Sequence, residues 1–219
     1  MTEWRFDEAL RYLPFLLQGI KITFLITLVS ISIGAAMGLL IALARSSRFR
    51  FVTAAAGFYV DVLRAIPVLV LLVWVFFVMP ILIGYSLTPF VSGVVALSLY
   101  SSAYLAEVFR AGIRSIERSQ WQAGLALGMT FWQMMRRVIL PQAIVRMLPP
   151  LGSMFVSLFK DSAVVSAIGV YDLMRQGLTL SLTLIRPMEV LTVTALLYFV
   201  LTYPQTLWVN YLHKRFLAH

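Results

Sequence analysis

Charged side chains interrupt several long apolar runs of this chain, and their types and spacing are what could do chemistry. Asp61 and Arg64 lie three apart, as do Glu107 and Arg110, while Lys160 and Asp161 are adjacent and followed by Ser162. A carboxylate beside a hydroxyl can grip the ammonium or carboxylate of a polar solute, or relay protons. Residues three apart share a helix face, so Asp61 and Arg64 are expected to form a structural ion pair, and Glu107 and Arg110 to tether a helix end. Neighbours diverge around a helix, so Lys160 points away from Asp161 and either lines a path, snorkels or pairs with another helix. The chain has no cysteine, and its two histidines, His213 and His219, sit in the last few residues. That excludes disulfides and cysteine nucleophiles, leaves no credible metal site, and makes an intramembrane enzyme remote.

The elements carrying these residues are read from hydropathy. At 61% hydrophobic and mean hydropathy +0.90 over 219 residues, the chain is far more apolar than the roughly 45–50% of a soluble domain. Runs long enough to cross about 30 Å of hydrocarbon mark five spans, near residues 20–44, 57–80, 90–110, 146–171 and 189–212. The fold class is therefore all-α, a polytopic membrane protein read as one integral-membrane domain over 1–219. The basic excess, Lys+Arg 18 against Asp+Glu 9, sits at span ends, which fits headgroup anchoring and not nucleic acid. Arginine and lysine concentrate after the first span, in the central loop and in the tail, so those segments are expected in the cytoplasm and the N-terminus outside. Glu3, Asp7 and Glu8 near the start do not make a basic signal-peptide n-region. Gly34 and Gly38, four apart in the first span, permit close helix packing.

The central loop, residues 114–141, is expected to be structured. Ser119 with Gln122, and Thr130 with Gln133, have capping-box spacing, and Gly128 suits a left-handed turn between two short helices. Trp121, Leu125, Met129, Phe131, Trp132, Met134 and Met135 give these helices more apolar surface than a solvated connection requires. Packing on the protein's own spans, lying in the headgroup layer and docking a cytoplasmic partner all account for that.

The loop segment QAGLALG (122–128), followed after nine residues by VILP (138–141), resembles the EAA signature of importer permeases of the ATP-binding-cassette (ABC) class. YVDVLRAIP (59–67), AYLAEVFRAGI (103–113) and LPPLGSMFVSLFKDSAVVSAIGV (148–170) extend the resemblance to the polar amino-acid uptake permeases, of the histidine, glutamine, arginine and glutamate type. The resemblance implies a two-helix coupling loop that inserts into a groove on an ATPase subunit, with Gln122, Ala123, Gly124, Gly128, Leu140 and Pro141 at the contact. It implies a homo- or heterodimeric permease, two ATPase subunits and an extracytoplasmic amino-acid-binding protein in the bacterial inner membrane. No cofactor is expected in this chain. ATP and Mg²⁺ belong to the partners, in keeping with the absence of G-x-x-x-x-G-K-[ST] from the sequence. It also implies that Asp161 and Ser162 contact the amino acid, with Asp61 and Lys160 on the substrate pathway. The sequence departs from the pattern at Gln122 and Asp61, where the family usually has Glu, and at Gly124.

An ion-coupled secondary transporter, relaying protons through Lys160, Asp161 or Glu107, is the alternative; it leaves the capped loop helices without a purpose. Substrate cues conflict. The segment after Arg64 is similar to the acidic-amino-acid branch, whereas Asp61 suits a cationic ligand.

Overall fold

The computed structural model describes residues 5–217, so Glu3 and His219 lie outside the described residues. Among those described, every regular element is a helix. In chain order they are α1 (Phe6–Arg11), α2 (Leu13–Ala44), α3 (Arg50–Ala65), α4 (Val68–Ile83), α5 (Pro89–Arg114), α6 (Arg118–Ala126), α7 (Phe131–Ile168), α8 (Leu173–Leu184) and α9 (Pro187–Leu217). Helices α2, α5, α7 and α9 are each long and apolar enough to cross a membrane.

The bent pair α3 and α4, whose axes meet at 105°, is a broken span or a re-entrant loop. The straight helix expected over 57–80 is thus broken, and the cause is Pro67. Its ring disfavours helical backbone at the preceding residue, and Ile66 accordingly turns extended at φ −87°, ψ 129°. Two later prolines are handled differently. Pro80 and Pro141 each follow a single π-helical turn, Trp74–Val78 and Met135–Ile139. The extra residue in such a turn takes up the carbonyl that a proline cannot bond, and the helix continues. Consequently the second loop helix is not a separate piece: Phe131 begins the same 38-residue helix that becomes the fourth span.

The core is organised around α2 against α5. One stripe of α2 is small or hydroxylic, with Gly19, Thr23, Ser30, Gly34, Gly38 and Ala42 all buried. In lipid, where apolar surface gains little by leaving its solvent, such residues hold helices together by close backbone approach. Ile26, Leu72, Leu97, Leu105, Leu158 and Val165 fill the space between these two helices, α4 and α7. A second cluster, Ile116, Met134, Ile139, Ala143 and Met147, seals the end that carries α6.

The opposite end holds a helix that the hydropathy reading passed over as an outer connection. Helix α8 starts at Asp172, whose carboxylate accepts from the Arg175 amide at 2.9 Å. Thr23 accepts from the Leu173 amide at 3.0 Å, pinning α8 to α2. Ion pairs of Arg186 with Glu8 (2.9 Å) and Glu189 (3.3 Å) fasten the α8–α9 turn to α1.

Asp172 is fully buried, and desolvation pushes its carboxyl up to about 6 despite the amide and Tyr198 hydroxyl hydrogen bonds that favour the charged form. Folded, the group keeps its proton to a higher pH than in the unfolded chain. Its contribution to stability is therefore complete below the ordinary carboxylate range and is lost as pH rises through about 6. Asp172→Asn keeps a cap acceptor without the charge. The variant is expected to flatten the pH dependence of thermal unfolding between about pH 4 and 7, removing a slope worth about 2–3 kcal/mol at most. A wild-type slope surviving in the variant refutes the assignment.

Candidate functional site

Two regions combine the sequence candidates. The first is the α6 turn. Helix α6 ends in a Schellman motif: the Met129 amide donates to the Gly124 carbonyl at 3.0 Å and the Gly128 amide to Leu125 at 2.9 Å, with Gly128 left-handed at φ +68°. The chain then enters α7 through a complete capping box. The Gln133 amide donates to the Thr130 hydroxyl at 3.3 Å and the Thr130 amide to the Gln133 side chain at 2.9 Å.

The Ser119–Gln122 box does not form. Helix α6 begins one residue ahead of Ser119, with Glu117 in the cap position, and the Ser119 hydroxyl donates to the Glu117 carboxylate at 3.1 Å. A hydroxyl already inside the first turn cannot bridge back to a later amide.

The loop's apolar residues divide between two faces. Met134 and Ile139 are buried against the spans. Gly124 is the spacer that lets α6 approach, since a Cβ there would stand 2.6 Å from the Met134 sulfur. Leu127 and Trp132 point outward, 80% and 77% exposed, with Leu125 and Phe131 beside them. Gln122, Ala123, Leu140 and Pro141 are also exposed. The protein's own packing therefore accounts for only half of the apolar surface that the loop carries.

The second region is a polar line along α7. Arg146, Pro150, Ser153, Ser157 and Lys160 recur at i, i+4, i+7, i+11 and i+14, one face of a helix. Three cavities open along that face in the same order. The first, about 680 Å³, is lined by Arg146, Pro150, Glu107, Ser115 and Phe216. The next, about 550 Å³, brings Ser153 and Ser157 opposite Arg64, Tyr104 and Glu107, with His213 at its rim. The last, about 420 Å³, sets Lys160 among Thr194, Tyr198 and Thr202 of α9 and Met174 of α8.

Several expected roles move accordingly. Arg64 makes no ion pair with Asp61; its guanidinium lies 5.2 Å from the centre of the Tyr104 ring, an attractive placement for a cation, and faces the middle cavity. Asp61 is exposed and lines none of the three cavities. Glu107 does pair with Arg110, at 2.7 Å, and its other oxygen takes Arg45. That bridge ties the end of α5 to the end of α2 while still edging two cavities. Asp161 also lines none of them, with the adjacent Lys160 and Tyr100 of α5 within electrostatic reach. Ser162 is fully buried, with its hydroxyl donated to the Phe159 carbonyl at 2.8 Å. Ser153, Ser157 and Tyr104 were not singled out in the sequence. For the two serines the signal was their four-residue spacing ahead of Lys160, which a search for charges ignores; Tyr104, on α5, carried no such signal.

Comparison with known proteins agrees with this architecture. The family described as binding-protein-dependent transport system inner membrane component matches residues 34–218. The arginine transport system permease protein ArtQ of Bacillus subtilis is 37% identical over 196 residues, 90% of each chain. The glutamate/aspartate import permease protein GltK of Escherichia coli is 36% identical over 225 residues, 98% of this chain and 99% of that one. A solved amino acid ABC transporter with histidines superposes at TM-score 0.91 with 37% identity, over 98% of this chain and 100% of that chain. The inward-facing MetNI methionine ABC transporter, at TM-score 0.70 and 21% identity, shares the fold. With its apolar spans, its EAA-like turn and these relatives, the chain belongs to the inner-membrane components of binding-protein-dependent transport systems, as a permease subunit of the amino-acid ABC importer type.

Proposed function

We propose that this permease carries a polar or charged amino acid along the face of α7 marked by Arg146, Ser153, Ser157 and Lys160, by alternating access driven from separate ATPase subunits. The observation that carries the proposal is three cavities strung along one face of the same helix whose first turn forms the exposed loop. Gln122, Ala123, Leu127 and Trp132, with Leu140 and Pro141 beyond them, offer the ATPase its contact surface. Gly124 and Gly128 set the angle at which that surface is held. ATP and Mg²⁺ bind the ATPases, and this chain performs no catalysis. The N-terminus, α1 and α8 face outward toward an amino-acid-binding protein; α6 and the C-terminus are cytoplasmic, and two permease chains, identical or similar, enclose the path. Asp61 and Asp161, off the cavities in this conformation, stand as path residues of the alternate one.

The absence of cysteine makes the path directly testable. In membranes holding the assembled transporter, single replacements Ser153→Cys and Ser157→Cys are expected to react with a water-soluble thiol reagent at least tenfold faster than Ser162→Cys. Equal protection at all three positions rules the path out.

A further inference from the structure

The relatives named above carry amino acids of opposite charge, so likeness alone does not choose a substrate class. The charges lining the cavities do. Arg64 edges the middle cavity and Lys160 the last, and neither makes an ion pair with a carboxylate. Among the described residues lining the three cavities, Glu107 is the one acid. It is already bridged by Arg45 on one oxygen and Arg110 on the other. Arg146 adds a further cation at the first cavity, its guanidinium donating to the Ser115 carbonyl, a bond that leaves its charge uncancelled. The acids that argued for a cationic ligand line none of the three cavities: Asp61 is exposed off them, and Asp161, within electrostatic reach of the adjacent Lys160, opens onto none. A row of cations with low-dielectric walls concentrates anions and repels cations.

We infer that the permease path is selective for a dicarboxylic amino acid, with Arg64 as the specificity residue for one carboxylate and Lys160 for the other. This rests on the path proposed above. Ser153, Ser157 and Tyr104 line the cavity that Arg64 edges, and Lys160 follows Ser157 by about one turn of α7, so uncharged oxygens are available for the ammonium group. A neutral amino acid offers a carboxylate to only one of the two cations and so makes one charge-assisted contact fewer. A cationic amino acid adds like charge to both.

The test uses Ser157→Cys in membranes containing the whole transporter, with two methanethiosulfonates of similar size, one carrying a sulfonate and one a trimethylammonium. With rates normalised to a free thiol, the anionic reagent is expected to be favoured at least tenfold. Arg64→Gln or Lys160→Gln should each cut that preference by threefold or more. L-glutamate should slow the reaction, whereas L-glutamine and L-arginine at equal concentration should not. A preference near one, protection by L-arginine or L-glutamine as strong as by L-glutamate, or no protection by any of them overturns the inference while leaving the path standing. A cysteine that neither reagent reaches removes both.

Discussion

Gly128→Val is expected to abolish co-purification of the ATPase subunit and ATP-driven uptake, while Gly128→Asn leaves both within about twofold of wild type. The contrast isolates backbone conformation from bulk. A Cβ at Gly128 meets nothing within 4 Å, so neither side chain clashes with the fold. What differs is the left-handed region itself, φ +68°. An L-residue there costs roughly 1–2 kcal/mol, more when β-branched, whereas asparagine is the residue after glycine that enters it most readily. Valine would relieve the strain by unwinding the turn, which breaks the Met129–Gly124 and Gly128–Leu125 bonds and shifts the exposed Leu127 relative to the exposed Trp132. Co-elution of the ATPase with the valine variant at wild-type yield would show that docking does not need this turn.

Gly38→Ala is expected to destabilise the protein more than Gly34→Ala, although a Cβ at Gly34 comes nearer to its neighbour. At Gly34 the closest atom is the Ser101 hydroxyl oxygen, which a serine can rotate aside, leaving Ser101 Cβ at 3.1 Å and the Ser98 carbonyl oxygen at 3.2 Å to give by a few tenths of an ångström. At Gly38 the neighbours are the Ser102 carbonyl oxygen at 2.9 Å and the Ala106 amide nitrogen at 3.0 Å. Backbone of a packed helix can yield only by moving α5 as a whole away from α2. Overpacking of this kind costs about 1–3 kcal/mol for one methyl, and the cost grows with larger side chains. Thermal unfolding in detergent should show a fall in Tm for Gly38→Ala of several degrees and a smaller one for Gly34→Ala. Gly38→Leu should yield no monodisperse protein. The reverse order would mean that α2 and α5 separate easily and that the small-residue stripe is not what holds them.

Which parts were legible in the sequence follows from how local the governing physics is. Hydrocarbon thickness acts on twenty residues at a time, so the five apolar runs were readable, as were Gly128 and the Thr130–Gln133 box, each decided within a few residues. The break at Pro67 was equally local and was overlooked, because a hydropathy sum over 57–80 carries no information about φ and ψ. Helix α8 was hidden for a related reason: Gln176, Gly177 and Ser181 make it too polar to register as a span, yet they are buried against neighbours that only the fold supplies. The charges show the limit most clearly. Sharing a face permitted Asp61 to meet Arg64, but a tyrosine forty residues on took the guanidinium instead. Only the assembled bundle decided that Lys160 opens onto a cavity while Ser162 turns into the core.

The unbroken run of α7 from Phe131 to Ile168 makes it a lever. From Trp132 to Lys160 is about 42 Å at roughly 1.5 Å per residue, so a tilt of about 5° imposed at the loop carries Lys160 sideways by roughly 3–4 Å. A displacement of that size is about one atomic diameter, enough to break or remake a hydrogen bond deep in the bilayer without any residue between changing its secondary structure. Stroke length, on this geometry, is set by helix length and tilt, and a softer joint at the Met135–Ile139 π-turn would shorten it.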